Sequence, residues 1–359
     1  MQDSRSVGEA GEAGTLAAVL AELRPADAAL LGPGDDAAVL RARGDLVVTS
    51  DTMIEGPDFR RAWHTGAELG WKLAATNLSD VAAMGARPIA LTVSFACPPE
   101  TPVATLAEVS RGLDEACRVL APGCGVVGGD LGTAPVLIAA VTALGDLEGR
   151  PPVRRSGARP GDALAYAGQL GLATLGLDLL FRRARDPDGV AHGRTLAELR
   201  AAAPAALAAQ LTPRPPVHLG AAAALAGATA MLDVSDGLSL DAARLARASG
   251  VTIDLDPALL THHFGLQEGQ SVPFDAMLTG GEDHGLLAAF PPGAALPSGF
   301  YRIGSVRGAG PAELLVAGAA TVPRGWDPFT SAPSVTPASS NAAQSSARVD
   351  GSERSRCSN

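Results

Sequence analysis

The segment Thr65-Gly66-Ala67-Glu68-Leu69-Gly70-Trp71-Lys72-Leu73-Ala74-Ala75-Thr76-Asn77-Leu78-Ser79-Asp80-Val81-Ala82-Ala83-Met84 carries both the start signal and the periodicity of a helix. Thr65 is followed three residues later by Glu68, a capping-box pattern, and the helix is expected to run to about Met84. Leu73, Asn77, Asp80 and Met84 fall on one face of it. Asn77 and Asp80 interrupt a stripe that is otherwise apolar, and a buried carboxylate needs a partner. A backbone hydrogen bond and a bound ligand are both open to Asp80 at this stage.

Working outward, residues 89–95 alternate apolar and small polar side chains as a strand does. Upstream, Leu16, Val19, Leu20 and Leu23 recur at helical spacing. Gly32-Pro33-Gly34-Asp35-Asp36 makes a turn, and short β-like runs follow at 37–40 and 46–49. Downstream, a helix is expected over 102–120 and a strand over 136–144. Gly149-Arg150-Pro151-Pro152 breaks both periods and is the best domain boundary. Beyond it come a strand at 163–167 and an Ala-rich helix at 195–210, interrupted at Pro204. A helical stripe of Leu238, Ala242, Leu245 and Ala246 is closed by Gly250, and strands are expected at 252–255, 286–290 and 301–306. The fold class is therefore α/β (α+β). The expected organisation is a flexible N-terminus at 1–13, a first domain at 14–149 and a second α/β domain at 150–330. Residues 331–359, mostly Ser, Ala, Pro, Asn and Arg, read as a disordered tail.

With 359 residues the chain can build two cores, and with 4% aromatics it must build them from Ala, Leu and Val. The net charge of −10 argues against nucleic acid as a partner. An anionic small molecule could bind only through metal ions or a few placed arginines. Lys72 is the only lysine; no glycine-rich loop precedes it, and Leu73 stands where a P-loop needs Ser or Thr. The cysteines form no C-x-x-C pair, which excludes the common zinc and redox motifs. The opening residues are unlike a signal peptide and no run is apolar enough to span a membrane, so the expected location is cytoplasmic.

Five short segments set aspartate beside glycine or serine: Gly34-Asp35-Asp36, Thr49-Ser50-Asp51-Thr52, Asn77-Leu78-Ser79-Asp80, Gly128-Gly129-Asp130 and Asp233-Val234-Ser235-Asp236-Gly237. Each alone is ordinary turn or capping chemistry. Together they would crowd negative charge if folding made them converge, which is tolerable only with cations between them. Oxygen ligands of this kind suit magnesium bridging carboxylates to phosphates. Arg155 could reach phosphate oxygens or simply face solvent. Gly280-Gly281-Glu282-Asp283 permits close backbone approach or is a plain turn, and Trp326 could stack on a ring or pin the chain end.

The order of these motifs resembles that of the thiamine-monophosphate kinases, which belong to the aminoimidazole-ribonucleotide-synthetase-like ATP enzymes. The carriers are Gly-Asp-Asp-Ala-Ala, Ser-Asp-Thr-x-x-Glu-Gly, Asn-Leu-Ser-Asp-Val-Ala-Ala-Met-Gly-Ala, Gly-Gly-Asp, Arg-Ser-Gly-Ala-x-Pro-Gly-Asp, Ser-Asp-Gly-Leu and Gly-Gly-Glu-Asp. The resemblance implies a two-domain fold like aminoimidazole ribonucleotide synthetase, with N-terminal domains pairing in a homodimer. It implies ATP as co-substrate, Mg2+ as cofactor and thiamine monophosphate as acceptor, by direct in-line transfer needing no general base. By position it makes Asp36, Thr49, Ser50, Asp51, Asp80, Asp130, Asp233 and Asp236 metal ligands. Gly129, Asp130, Arg155 and Ser235 would meet the nucleotide, and Asp58, Glu282 and Trp326 the acceptor. Two departures touch that acceptor end: Asp58 stands where the family has histidine, and Glu282-Asp283-His284-Gly285-Leu286 replaces Glu-Asp-Tyr-Glu-Leu. The alternatives are another ATP enzyme of the superfamily acting on a different acceptor, or a non-catalytic thiamine-phosphate-binding protein.

Overall fold

The structure, a computed structural model, describes residues 4–327. The first half runs α1 (Val7–Leu20), β1 (Ala29–Leu31), β2 (Val39–Leu40), β3 (Leu46–Ile54), α2 (Gly66–Ala83), β4 (Arg87–Cys97), α3 (Val103–Leu120), β5 (Val126–Thr133) and β6 (Ile138–Asp146). After a short 3-10 turn (Arg155–Gly157) come β7 (Ala163–Ala167), α4 (Leu172–Arg183), α5 (Leu196–Ala202), α6 (Pro204–Leu211), α7 (Val217–Leu225), β8 (Ala230–Val234) and α8 (Leu238–Ser249). The chain continues through β9 (Thr252–Leu255), α9 (Pro257–Phe264), β10 (Leu266–Gln267), β11 (Gln270–Ser271) and α10 (Phe274–Thr279). It closes with β12 (Gly285–Phe290), β13 (Phe300–Arg307), β14 (Leu314–Val316) and β15 (Ala319–Ala320).

Two large, mainly antiparallel sheets result, beside the two-stranded pairs β1-β2 and β10-β11. The first has the order β3-β6-β4-β5, with only β4 and β5 parallel; the second has the order β15-β14-β9-β13-β7-β12-β8. The expected boundary at 149–152 falls between them, but residues through Trp326 pack as one compact unit. The element that unites them is α2. Its N-terminus is fixed by the Thr65–Glu68 capping box, which is fully formed. One side, with Leu69, Leu73, Leu78 and Val81, is buried with β4, β6 and α3, each such leucine contributing about 2 kcal/mol. The other side meets the second half, where Trp71 Nε1 donates to the Pro213 carbonyl at 2.7 Å.

The structure corrects several expectations. Residues 7–13, expected to be flexible, are ordered into helix with a kink at Gly11, where φ is 69°: α1 starts at Val7 on a Ser6–Glu9 capping box, and Val7 N–H donates to the Thr101 carbonyl at 2.8 Å. The strand read at 89–95 is the interior strand β4, flanked by β6 and β5, so the edges of the first sheet are β3 and β5. β5 itself was not expected, because its glycines lack β propensity. The break at Pro204 does separate α5 from α6, and β7 and β9 have the expected limits. The tail at 331–359 lies outside the described residues, among which no helix is long and apolar enough to cross a membrane.

Candidate active site

Side chains alternate along β3, so Thr49 and Asp51 face α2 while Ser50 faces away. Thr49 donates its hydroxyl to Asp80 Oδ2 at 2.9 Å, and Asp51 N–H donates to Asn77 Oδ1 at 3.2 Å. Asn77 completes its bonding by donating to the Leu73 carbonyl at 2.9 Å, which accounts for its buried place on the helix. From the second half, β8 delivers Asp233 to the same helix. The Ser79 hydroxyl lies 3.2 Å from Asp233 Oδ2 and 2.7 Å from the Thr76 carbonyl, and its single proton serves one at a time. His284 sits over Asp233 with Nδ1 3.5 Å from Oδ2, an ion-pair distance rather than a hydrogen bond.

The electrostatics follow from this crowding. Burial, then the charges of Asp233 and Asp51, push the Asp80 carboxyl up to about 7. Burial also raises Asp51, with His284 opposing and Asp233 adding to the rise. Burial works against a charged His284, but Asp233 and Glu282 outweigh it and hold its pKa above the ordinary value. Three carboxylates that disfavour one another in a half-buried space are the donor set a hard divalent cation satisfies. Among the described residues no group of three or more His, Cys, Asp or Glu side chains is arranged to hold a metal ion by itself. An ion there would need oxygens from a ligand or water to complete its shell, the usual manner of magnesium with phosphates.

Beside this cluster lies a cation that residue type alone concealed. Lys72 is wholly buried, and its ammonium donates to Glu282 Oε2 at 2.7 Å and to the Gln210 carbonyl at 3.2 Å. Glu282 keeps a third of its side chain open to solvent. Burial would raise its pKa, but Lys72 more than compensates and holds it below the usual value. Lys72, Thr76 and Asp80 repeat every four residues on α2, a polar seam that could have been read from the sequence.

The loop carrying Glu282 is forced into place. Glu282 and His284 both hold positive φ, 69° and 54°, which costs free energy outside glycine and clusters at functional sites. Gly281 lies against the Ser235 carbonyl so closely that a Cβ would collide with it, and Glu282 N–H donates to that carbonyl at 2.8 Å. Asp283 points inward and accepts from the backbone N–H groups of Gly171 and Ala173, a purely structural role. The Trp326 backbone N–H donates to the Asp236 carbonyl at 2.9 Å while the residue stays 39% exposed, so it pins the chain and remains open to solvent. Asp236 is held by Arg244 at 2.6 Å, a partner that sequence reasoning missed. Half-buried Asp58 accepts from Ile54 N–H at 2.8 Å and lies within electrostatic reach of Glu282 and Lys72.

Other expected site residues stand apart. Gly129 lies three strands from Asp51 along one register line through Val141 and Val93, about 14 Å away. With Asp36 and Asp130 it lines a cavity of about 290 Å3 between α1, α3 and β5. Gly129 must be glycine, since a Cβ would drive into the Val93 carbonyl. Ser50 donates to the Val141 carbonyl at 3.0 Å on the outward face, away from Asp80. The Arg155 carbonyl accepts from Ser249 at the far end of α8 from Ser235, and that helix is about 18 Å long.

Residues 34–147 match the family model of the AIR synthase related protein, N-terminal domain, a span that includes Asp36, Asp51, Asp80 and Asp130. A Mycobacterium tuberculosis protein named thiamine-monophosphate kinase is 40% identical over 335 residues, covering 91% of this chain and 94% of that one. The chain belongs to the thiamine-monophosphate kinase family. Its fold is similar to that of the thiamine-monophosphate kinase from Stenotrophomonas maltophilia K279a, with a TM-score of 0.66 and 31% identity over 86% of this chain and 95% of that one. The solved structure of AaThiL complexed with AMPPCP and TMP is also similar, with a TM-score of 0.67 and 28% identity over 89% and 97% of the two chains.

One buried group of this thiamine-monophosphate kinase family member makes its stability pH-dependent. His64 keeps Nδ1 3.1 Å from the Arg60 carbonyl, and its buried Nε2 has no partner among the described residues. Burial first, then the Lys72 charge, lowers its pKa from 6.5 to about 4. Between those values the unfolded chain takes up a proton that the folded chain refuses, so stability falls as pH drops from about 6.5 to about 4. The loss should reach about 3 kcal/mol. Urea unfolding at pH 7 and pH 4.5 should show a smaller drop for His64→Gln than for the unmodified chain.

Proposed function

We propose that the chain transfers the γ-phosphoryl group of ATP directly to thiamine monophosphate, giving thiamine diphosphate, with magnesium as cofactor. The observation that carries this reading is the meeting of Asp51 and Asp80 from the first half with Asp233 from the second, beside the Lys72–Glu282 pair. Its support from relatives is the named activity of the Mycobacterium tuberculosis protein and the AMPPCP and TMP held by AaThiL. Asp51, Asp80 and Asp233 would hold magnesium, which would supply charge neutralisation to the phosphate oxygens when bound. Thr49 orients Asp80 through its hydroxyl, and Asn77 fixes the backbone of Asp51. Lys72 keeps Glu282 ionised and aimed, an anionic lip suited to the cationic ring system of the acceptor. Trp326, bonded through its backbone to Asp236 and partly exposed, is assigned to stack on that ring system. Asp36, Gly129 and Asp130 around their apolar cavity are assigned to the nucleotide. The acceptor phosphate, with a second pKa of about 6, is already a nucleophile at neutral pH and needs no base.

A coupled assay of ATP consumption, run with thiamine monophosphate and separately with aminoimidazole ribonucleotide precursors, tests the assignment. Turnover with the first alone is expected; turnover only with the second would move the chain to another acceptor.

The chain is also proposed to act as a homodimer paired through the first sheet. The outward face of β3 leaves Val48 62% and Ile54 37% exposed, and no helix covers it among the described residues. Light scattering at micromolar concentration should give twice the monomer mass, and a strictly monomeric active protein would refute the pairing.

A further inference from the structure

Of two cavities near 500 Å3, one, of about 490 Å3, opens where the chain passes from the first sheet to the second. It is lined by Arg150, Arg154 and Arg159 and by the apolar residues Pro152, Val153 and Leu225. Arg150 is fixed by Glu148 at 2.9 Å and by the Gly85 carbonyl at 3.3 Å, yet its buried Nε has no partner among the described residues. Glu148 is shared with Arg87, and Asp162 is engaged by the Arg159 N–H and the Thr229 hydroxyl. Among the described residues neither the Arg154 nor the Arg159 guanidinium has an ion-pair partner. Three arginines around one cavity are not part of a general basic surface, because the chain carries a net charge of −10.

We propose that this cavity binds a phosphate monoester bearing a flat apolar group. Planar guanidinium groups match phosphate oxygens with paired, charge-assisted hydrogen bonds, and the Arg150 Nε–H is a donor still to be satisfied. Pro152, Val153 and Leu225 supply a wall for the ester's apolar part, and the volume is that of a small-molecule site. The cavity is separate from the carboxylate cluster. Thr229 lies on its wall at the start of β8, and Asp233 is four residues further along, about 13 Å away. It touches the same machinery from behind, since Val153 N–H donates to the Met84 carbonyl at the end of α2, one turn beyond Asp80.

Calorimetric titration of the full chain with phenyl phosphate and with inorganic phosphate tests the proposal. A chelator is included, so that the metal-free carboxylate cluster repels both anions. Saturable binding to a single site is expected, tighter for phenyl phosphate. The Arg154→Ala/Arg159→Ala double variant should bind at least about tenfold more weakly, the worth of one lost charge-assisted hydrogen bond. The Arg154→Lys/Arg159→Lys variant should recover part of the binding, and melting temperature and ATP turnover should stay unchanged in both. Absence of saturable binding into the millimolar range, or equal binding by the double alanine variant, overturns the proposal. Loss of ATP binding in a folded double alanine variant also overturns it, because the arginines would then belong to the nucleotide. None of these outcomes bears on whether thiamine monophosphate is the acceptor.

Discussion

Asp80→Asn is expected to lower phosphoryl transfer by about 100-fold or more, with the melting temperature of the metal-free protein unchanged or raised. The substitution keeps size and leaves an oxygen to accept the Thr49 hydroxyl, while removing a charge that Asp51 and Asp233 already disfavour. Relief of that repulsion offsets whatever packing is disturbed. Magnesium should raise the melting temperature of the unmodified chain through preferential binding to the folded state, and raise that of the variant less. Higher magnesium should restore part of the lost rate. Asp233→Asn should behave alike, although its carboxylate comes from the other half of the molecule. Variants that melt early but turn over normally would make these carboxylates structural and remove the basis for a metal-clamped phosphate site.

Lys72→Met should destabilise the fold by about 3 kcal/mol, the lower end for breaking a buried ion pair, since Glu282 retains some contact with water. The methionine fills most of the space but leaves the Glu282 carboxylate, among the described residues, with the Gln210 amide as its remaining side-chain hydrogen-bond donor. Its pKa then rises and its direction is no longer fixed. The KM for thiamine monophosphate should therefore increase while that for ATP changes little. Adding Glu282→Gln to Lys72→Met should recover stability, because no charge is left stranded, but not the KM. If the double variant instead recovered the KM, Glu282 would have no contact with the acceptor, and the Lys72–Glu282 pair would serve the fold alone.

What the sequence made legible was local. The Thr65–Glu68 pair and the stripe after it locate α2, and the flanking breakers locate β7 and β9, because those signals sit within a turn or two of the elements they specify. β5 escaped because Gly128, Gly129 and Gly132 look like loop, whereas Gly129 is glycine so that its strand can press on Val93. The interior position of β4 depends on pairing with residues far along the chain and has no local sign. The same division runs through the site. Aspartates announce themselves by type, so Asp51, Asp80 and Asp233 could be singled out, while their meeting beside α2 depends on the fold. Lys72 and Glu282 are 210 residues apart, and only folding reveals that each is the other's counter-ion. Arg244 was passed over for the same reason, and His284 was noticed only as a departure from the family pattern: each acquires its meaning from a carboxylate that the fold brings alongside.

Because α2 is a wall of both sheets, the two halves are not interchangeable modules. Grafting either sheet onto a foreign partner would expose one face of this helix and strand half of the polar seam that runs along it. A lineage bearing this fold can therefore vary its outer loops freely, but must inherit α2 and both its neighbours as a single piece.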